Sequence, residues 1–304
     1  MKVGIDIGGS HIGIGIVDNE NRLVKKYEKD FFEWEKEKII FVIEEYIKDI
    51  LNTIKLEFDI EKIGVAIPGA TKDGVILKTV NLEIRNYDIT YFIKTVIDVP
   101  VTVRNDGKCA ILAEYDYLCK KDEQLKNANI LFLNIGTGIG GGVIYEGNLL
   151  KGHQFDGYEI GHMIIKADGL QCKCGKRGCF EKYGSILEHK NRVKNRLNID
   201  DNINGDELRK IMCDREKEIE DLNEEYISDL SLGISNLINI FEPDIIVIGG
   251  GFTHFENMFM DKIKERLLNS EYLFNRRENI DFRTASLGND AGIIGSTMWI
   301  LCEK

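Results

Sequence analysis

Extended backbone dominates the opening of the chain. V-G-I-D at 3–6 and I-G-I-G-I-V-D at 12–18 are apolar runs joined through a glycine turn, which predicts strand, turn and returning strand. A third strand is predicted near Leu23 to Tyr27. From Glu35 to Ile54 the period changes. Ile39, Ile40, Val42, Ile43, Ile47, Ile50, Leu51 and Ile54 keep helical spacing, which predicts a long amphipathic helix. K-I-G-V-A-I-P-G at 62–69 predicts a short buried strand. A polar loop follows over 72–85, then a helix over 90–97, a strand at V-T-V-R and a helix beginning at Asp106. Strands come first and then alternate with helices, the order of an α/β protein.

The opening pattern returns as I-L-F-L-N-I-G-T-G-I-G-G-G-V-I-Y-E-G at 130–147. With Asn134 set on Asp6, Ile135 matches Ile7, Gly136 matches Gly8, Gly141 matches Gly13 and Ile144 matches Ile16. Both copies end an apolar strand on a polar residue, turn on glycine and return as a strand. A duplicated domain is the economical reading, and two unrelated glycine-rich hairpins are the alternative. The remainder predicts a loop-rich stretch to Gly184, helices through Phe241, a buried strand D-I-I-V-I-G-G-G, a helix over 256–268 and a closing helix from Asp290. We therefore expect a small N-terminal lobe over 1–117, with the helix 290–304 packing on it, and a larger lobe over 118–289.

At 304 residues, two domains are the prior. The formal charge of -11 and the lack of a basic block argue against binding nucleic acid or an anionic membrane through a general field. No apolar run reaches membrane-spanning length and no leader precedes the first strand, so a soluble cytoplasmic protein is expected. Of seven cysteines, three crowd into Q-C-K-C-G-K-R-G-C, which points to a metal site in a reducing compartment. Cys109, Cys119, Cys213 and Cys302 are expected to be buried, inert thiols.

Glycine turns let backbone N–H groups approach phosphate oxygens and form an anion-binding concavity, and both D-I-G-G-S and N-I-G-T-G-I-G-G-G suit that task. Asp6 adds a carboxylate that can hold Mg²⁺ directly or through water. Gly136, Gly138 and Gly141 spell G-x-G-x-x-G, yet V-I-Y-E-G continues as a strand where a dinucleotide fingerprint must open a helix. A Walker A sequence is absent as well. Asp106 stands where a strand gives way to a helix. It is either the helix N-cap or a carboxylate that accepts the proton of an attacking substrate hydroxyl. Three thiolates, Cys172, Cys174 and Cys179, together with His162 make a closed tetrahedral Zn²⁺ shell, which is structural rather than hydrolytic. Gly175 and Gly178 permit the sharp turns this spacing needs. His11, His153, His189 and His254 are expected to be solvated or satisfied locally.

D-I-G-G-S, A-I-P-G, N-D, N-I-G-T-G-I-G-G-G, E-I-G-H, C-K-C-G-K-R-G-C-F-E and I-V-I-G-G-G occur in that order, and nearly the whole chain resembles the ROK family (repressor, open reading frame, kinase) of bacterial sugar kinases. The resemblance implies a duplicated actin-like ATPase (ribonuclease H-like) α/β fold, two lobes around a cleft, with ATP, Mg²⁺ and a small-molecule sugar between them and structural Zn²⁺. It implies that Asp106 is the catalytic base and that Asn105, Glu159, His162 and Glu181 hold sugar hydroxyls, with Gly69 lining the same pocket. His162 would bind zinc through one ring nitrogen and the sugar through the other. Gly8, Gly9, Gly136, Thr137 and Gly138 would cradle phosphate, and Gly250 and Gly251 would border the adenosine. Ser10 stands where the family usually has Thr, preserving the hydroxyl. Gly107-Lys108 stand where it commonly has Ala-Asn, and the Lys108 side chain is expected to point to solvent. Ile84-Arg85 stand where glucokinase-like members usually carry Trp.

The activity expected is phosphorylation of a hexose by ATP, first glucose at its 6-hydroxyl, with N-acetylmannosamine or N-acetylglucosamine as the alternative. Fructose ranks lower, because fructokinase-like members carry a different Cys/His arrangement. A homo-oligomer, dimer or tetramer, is expected. A sugar-sensing transcriptional regulator is the alternative from another class. Such a protein needs an N-terminal DNA-binding helix-turn-helix, and Met1 lies only five residues before Asp6. A catalytically silent sugar binder would lack the base, and Asp106 is present.

Overall fold

The computed structural model describes residues 1–9, 11–31, 37–79, 82–150, 152, 158–200, 203–269 and 280–298. The chain forms two compact units, one of Met1–Leu125, Leu149–Tyr158 and Leu287–Lys304, the other of Lys126–Asn148 and Glu159–Ser286.

The first unit runs β1 (Lys2–Ile7), β2 (His11–Val17), β3 (Leu23–Asp30), α1 (Ile39–Glu57), β4 (Lys62–Ile67), β5 (Ala70–Lys72), β6 (Val75–Lys78), β7 (Arg85–Asp88), α2 (Ile89–Val96), β8 (Val101–Asn105) and α3 (Asp106–Lys121). Its main sheet has the order β3-β2-β1-β4-β8. The β1–β2–β3 pairings are antiparallel, whereas β4 and β8 run parallel to β1. Every second residue of β1, Val3, Ile5 and Ile7, is fully buried. Helix α1 covers this core with Ile39, Ile43, Ile47, Leu51 and Ile54, an i, i+4 stripe in which each fully buried side chain contributes roughly 2 kcal/mol.

The second unit runs β9 (Ile130–Ile135), β10 (Ile139–Tyr145), β11 (Asn148–Leu149), α4 (Glu181–Gly184), α5 (Ile186–Leu197), α6 (Gly205–Asp214), α7 (Glu220–Phe241), β12 (Ile245–Gly249), α8 (Glu256–Leu268) and β13 (Asp281–Thr284). Its sheet has the order β11-β10-β9-β12-β13, with β9–β10 antiparallel and β12 and β13 parallel to β9. Strand for strand this repeats the first unit, so the duplication extends well beyond the two glycine hairpins. The chain closes through α9 (Asp290–Ser296), which packs on β1, β4 and α3 of the first unit. A Cβ on Gly4 would lie 2.0 Å from the Ile293 carbonyl oxygen and one on Gly64 2.0 Å from that of Ser296, so bare backbone at these points admits the helix. Among the described residues no helix is long and apolar enough to cross a membrane.

Several expectations are corrected. Ile7 faces Ile12 across the first hairpin, whereas Ile135 faces Ile139 across the second, whose turn is one residue shorter. Gly13 therefore corresponds to Gly140, not Gly141, and Ile16 to Val143, because a gapless alignment carries the strand match past the turn. The stretch 72–85, expected as a polar loop, holds β6 and meets the ends of β5 and β7, the three forming an antiparallel sheet stitched around Ile76. Its charged residues lie on the exposed side, which masked the strands. Residues Asp281–Thr284, for which no element was expected, form the edge strand β13. Cys109 is buried, but Cys119 is half-buried and Cys213 exposed. Cys302 and His153 lie outside the described residues, as do 299–304 of the closing helix.

His189 is also not what its sequence context suggests. It is 1 % exposed on α5, its Nε2 lies 3.0 Å from Asn223 Oδ1, and its ring stacks on Tyr226 with centroids 4.4 Å apart. Among the described residues its Nδ1 has no hydrogen-bond partner. Desolvation by these aromatic neighbours pulls its pKa down from 6.5 to about 4. The folded protein thus holds His189 neutral where the unfolded chain takes up a proton, so the stability it permits is complete above pH 6.5 and is lost as pH falls toward 4. That loss is expected to be roughly 3 kcal/mol. Urea unfolding at pH 7 and pH 4.5 checks it: His189→Gln should flatten the acid slope, and an unchanged slope would assign acid lability to other groups.

Candidate functional site

The first unit gathers one set of predicted residues around the carboxyl end of β1, β4 and β8. Asp6, near the end of β1, is half-buried, and its carboxyl is approached so closely by α9 that a Cβ on Gly292 would sit 2.4 Å from Oδ2. Desolvation pushes this carboxyl up to about 8; the Asp106 carboxylate adds to the rise and Lys26 opposes it. A carboxyl raised by burial and by a like-charged neighbour is a setting that a bound cation relieves, so Asp6 is compatible with a Mg²⁺ ligand. The turn after β1 closes through the Gly8 N–H, which donates to the His11 carbonyl at 2.8 Å. Gly9 is exposed at its tip, and Ser10 lies outside the described residues.

Gly69 adopts φ +103 after the buried strand β4, and a Cβ there would meet the Lys78 carbonyl oxygen at 2.2 Å. Its own carbonyl accepts from Asn105 Nδ2 at 3.4 Å, while Asn105 Oδ1 accepts from the Lys108 N–H at 3.3 Å. Asn105 is therefore the N-cap of α3, which settles one alternative for Asp106: it is the first helical residue, not the cap. One carboxylate oxygen of Asp106 accepts from the Gly107 N–H at 2.8 Å. The expectation that Lys108 points to solvent is wrong. It is 2 % exposed, and its ammonium lies over the Tyr158 ring, 5.7 Å from the centroid. Helical periodicity carries this residue inward although its head group is charged.

The second unit holds the other set. Gly136 N–H donates to the Gly138 carbonyl at 2.9 Å, making the tight turn between β9 and β10. A Cβ on Gly136 would lie 3.7 Å from the Gly251 nitrogen, so this turn and the glycines after β12 are neighbours. Gly250 adopts φ +74, where a side chain would strike Asn134 Oδ1 at 2.2 Å. Thr137 is exposed at the turn's tip. Glu181 opens α4 and accepts from the Ile139 N–H at 3.2 Å, and a Cβ on Gly138 would meet its Oε2 at 2.2 Å. The predicted sugar ligand Glu181 thus braces the predicted phosphate turn, a coupling that no local spacing reveals.

Glu159 is exposed at the start of a short 3-10 turn, where its carbonyl accepts from the His162 N–H at 3.0 Å. The His162 ring turns Nδ1 toward Cys172 Sγ at 3.7 Å, and Cys174 Sγ lies 3.6 Å from Cys179 Sγ. One donor atom from each of the four residues falls within 4.8 Å of every other. A tetrahedral Zn²⁺ shell with Zn–S of about 2.3 Å spaces its sulfurs about 3.8 Å apart, so the donor set fits the ion. Burial and the neighbouring thiols push Cys179 up to about 12, a penalty that a divalent cation removes. With Nδ1 committed to the cluster, Nε2 is the nitrogen left to a second ligand.

The loop that carries these ligands is held by its own backbone. Gly175 and Gly178 take φ +95 and +80 as their turns require, and Cys172 N–H donates to the Lys176 carbonyl at 2.8 Å. Sequence reasoning missed the anchor behind it. Tyr183 Oη accepts from the Leu170 N–H at 2.6 Å, and Lys166 Nζ lies over the Tyr183 ring at 4.5 Å while pairing with Asp229 of α7 at 2.7 Å.

Residues 2–303 match the ROK family. The chain is 29% identical to a glucokinase of Halalkalibacterium halodurans over 323 residues, covering 99% of this chain and 95% of that one. It is 27% identical to the xylose repressor of Bacillus subtilis over 311 residues, covering 99% of this chain and 77% of the repressor. Among solved structures it is similar to a ROK hexokinase from Thermus thermophilus, with TM-score 0.77, 26% identity and coverage of 97% and 96%. It is also similar to a ROK glucokinase from Streptomyces griseus in complex with glucose and AMPPNP, with TM-score 0.78, 24% identity and coverage of 97% of both chains. The fold is the duplicated actin-like ATPase fold of these proteins.

Proposed function

The chain belongs to the ROK family, and on that premise we propose that it transfers the γ-phosphate of ATP to a hydroxyl of a hexose. The observation that carries this reading is Asp106, the first residue of α3 after its cap Asn105, whose carboxylate adds to the rise in the pKa of Asp6. Asp106 accepts the proton of the sugar hydroxyl as that oxygen attacks phosphorus and the bond to ADP breaks. Asn105, Glu159, His162 and Glu181 hold other hydroxyls, with Gly69 lining the same pocket. The turns at Gly8-Gly9 and Gly136-Thr137-Gly138 offer N–H groups to the phosphates, with Gly250 and Gly251 against the adenosine. Asp6 would hold Mg²⁺, which would neutralise phosphate charge, and His162, Cys172, Cys174 and Cys179 would hold Zn²⁺, which would supply rigidity.

Glucose at its 6-hydroxyl is the first substrate we propose, supported by the glucokinase relative; N-acetylmannosamine and N-acetylglucosamine follow because the same hydroxyl ligands serve them. An ADP-release assay with Mg²⁺ across glucose, mannose, fructose and the two N-acetylhexosamines is expected to single out one sugar. Silence on every sugar would overturn the kinase reading, and silence with retained sugar binding would favour a sensor, as in the repressor relative.

A further inference from the structure

Lys108 is the residue that the proposed chemistry leaves unexplained. A buried ammonium is costly unless its surroundings offer negative potential, and the face of an aromatic ring does so. Here that ring is Tyr158, whose own backbone is unusual: φ is +57, a left-handed conformation that a bulky side chain adopts only where its surroundings hold it. Tyr158 is the residue immediately before Glu159. Lys108 in turn reaches the other named residues through its backbone, since its N–H is the one capped by Asn105, and Asn105 holds the Gly69 carbonyl. One side chain therefore joins the start of α3, where Asp106 sits, to the residue from which the E-I-G-H segment departs.

We propose that Lys108 and Tyr158 form a positioning pair for the sugar: the ammonium pins the ring, and the pinned ring keeps the strained backbone before Glu159 in the one conformation that presents its carboxylate to the hydroxyls. This rests on the kinase reading above. Neither residue takes part in proton or phosphoryl transfer, so the pair governs sugar KM and leaves the chemical step to Asp106. The lysine that stands two residues after the base then has a task that its burial over an aromatic ring accounts for.

The test is a double-mutant cycle on the full chain, read in steady-state kinetics with the sugar that the wild type prefers. Lys108→Met keeps the length and loses the charge, and Tyr158→Leu keeps bulk and loses the ring. Each should raise sugar KM about tenfold with kcat changed by less than about threefold, and the double variant should be no worse than either single one. Lys108→Arg and Tyr158→Phe retain the cation and the ring and should restore near-wild-type KM. Zinc content and thermal melting, measured on every variant, separate a positioning effect from loss of fold. Additive KM effects, or a Tyr158→Phe variant as impaired as Tyr158→Leu, would overturn the pair while the kinase reading stands. A wild type that turns over no sugar would overturn both, and the two failures are thus distinguishable.

Discussion

Asp106→Asn is expected to lower kcat by about 10²–10⁴-fold, the usual span for loss of a general base, while sugar affinity measured by calorimetry changes by less than about threefold. The substitution is close to isosteric. The Asn side-chain oxygen can still accept from the Gly107 N–H, and the helix start depends on Asn105 rather than on residue 106, so α3 should persist. What disappears is the capacity to take a proton. Removing a carboxylate also relieves Asp6 of its repulsive neighbour, so melting temperature should hold or rise slightly. The discriminating measurement is single-turnover phosphoryl transfer with saturating sugar. A variant that keeps a rate within about tenfold of wild type would remove Asp106 from the role of base.

Cys179→Ser is expected to abolish zinc binding and, through His162, to raise sugar KM by about tenfold or more, the range seen when supports of a site are lost. Cys179 is fully buried, and serine is a poor replacement for a thiolate ligand. Wild-type protein should contain about one zinc per chain by atomic spectrometry, as a closed four-ligand shell requires. The damage should remain local. The Cys172–Lys176 turn, the Tyr183–Leu170 bond and the Lys166–Asp229 pair all persist, so the protein should stay folded, with its melting temperature about 5–10 °C lower. Chelation of the wild type should reproduce the effect and added zinc should reverse it, but zinc should not rescue the variant. A wild type that is folded and free of zinc would remove the metal from the account. If Cys179→Ser lost zinc but kept its sugar KM, the site would be stabilising only and the link through His162 would fail.

Much of this molecule is legible in its sequence, for a physical reason that differs from element to element. The β1–β2 hairpin and α1 are read from periodicity because each buries one regular face, and burial imposes its repeat on the residues. The His-Cys₃ donor set is read from spacing because three cysteines within eight residues, with two glycines between them, are brought close in space by one short loop. The β5–β6–β7 sheet escapes because its strands are short and carry their charges outward, so alternation has too few residues to show. The register of the second hairpin escapes because strand pairing is decided by the length of the turn, and apolar matching alone tolerates a slip of one residue.

The candidate site divides in the same way. Sequence alone determined which residue types are available: carboxylates at Asp6 and Asp106, glycine turns at 8–9 and 136–138, and a His-Cys₃ donor set. Tertiary structure decided what each one does with its neighbours. It assigned the α3 cap to Asn105, set Glu181 against the turn at Gly138, and turned Nδ1 of His162 to the sulfurs. It also buried Lys108 beneath Tyr158. The reason is range. Spacing along the chain governs groups within a turn or a loop, whereas capping competition, desolvation and ring contacts depend on partners that only the completed fold brings within a few ångströms.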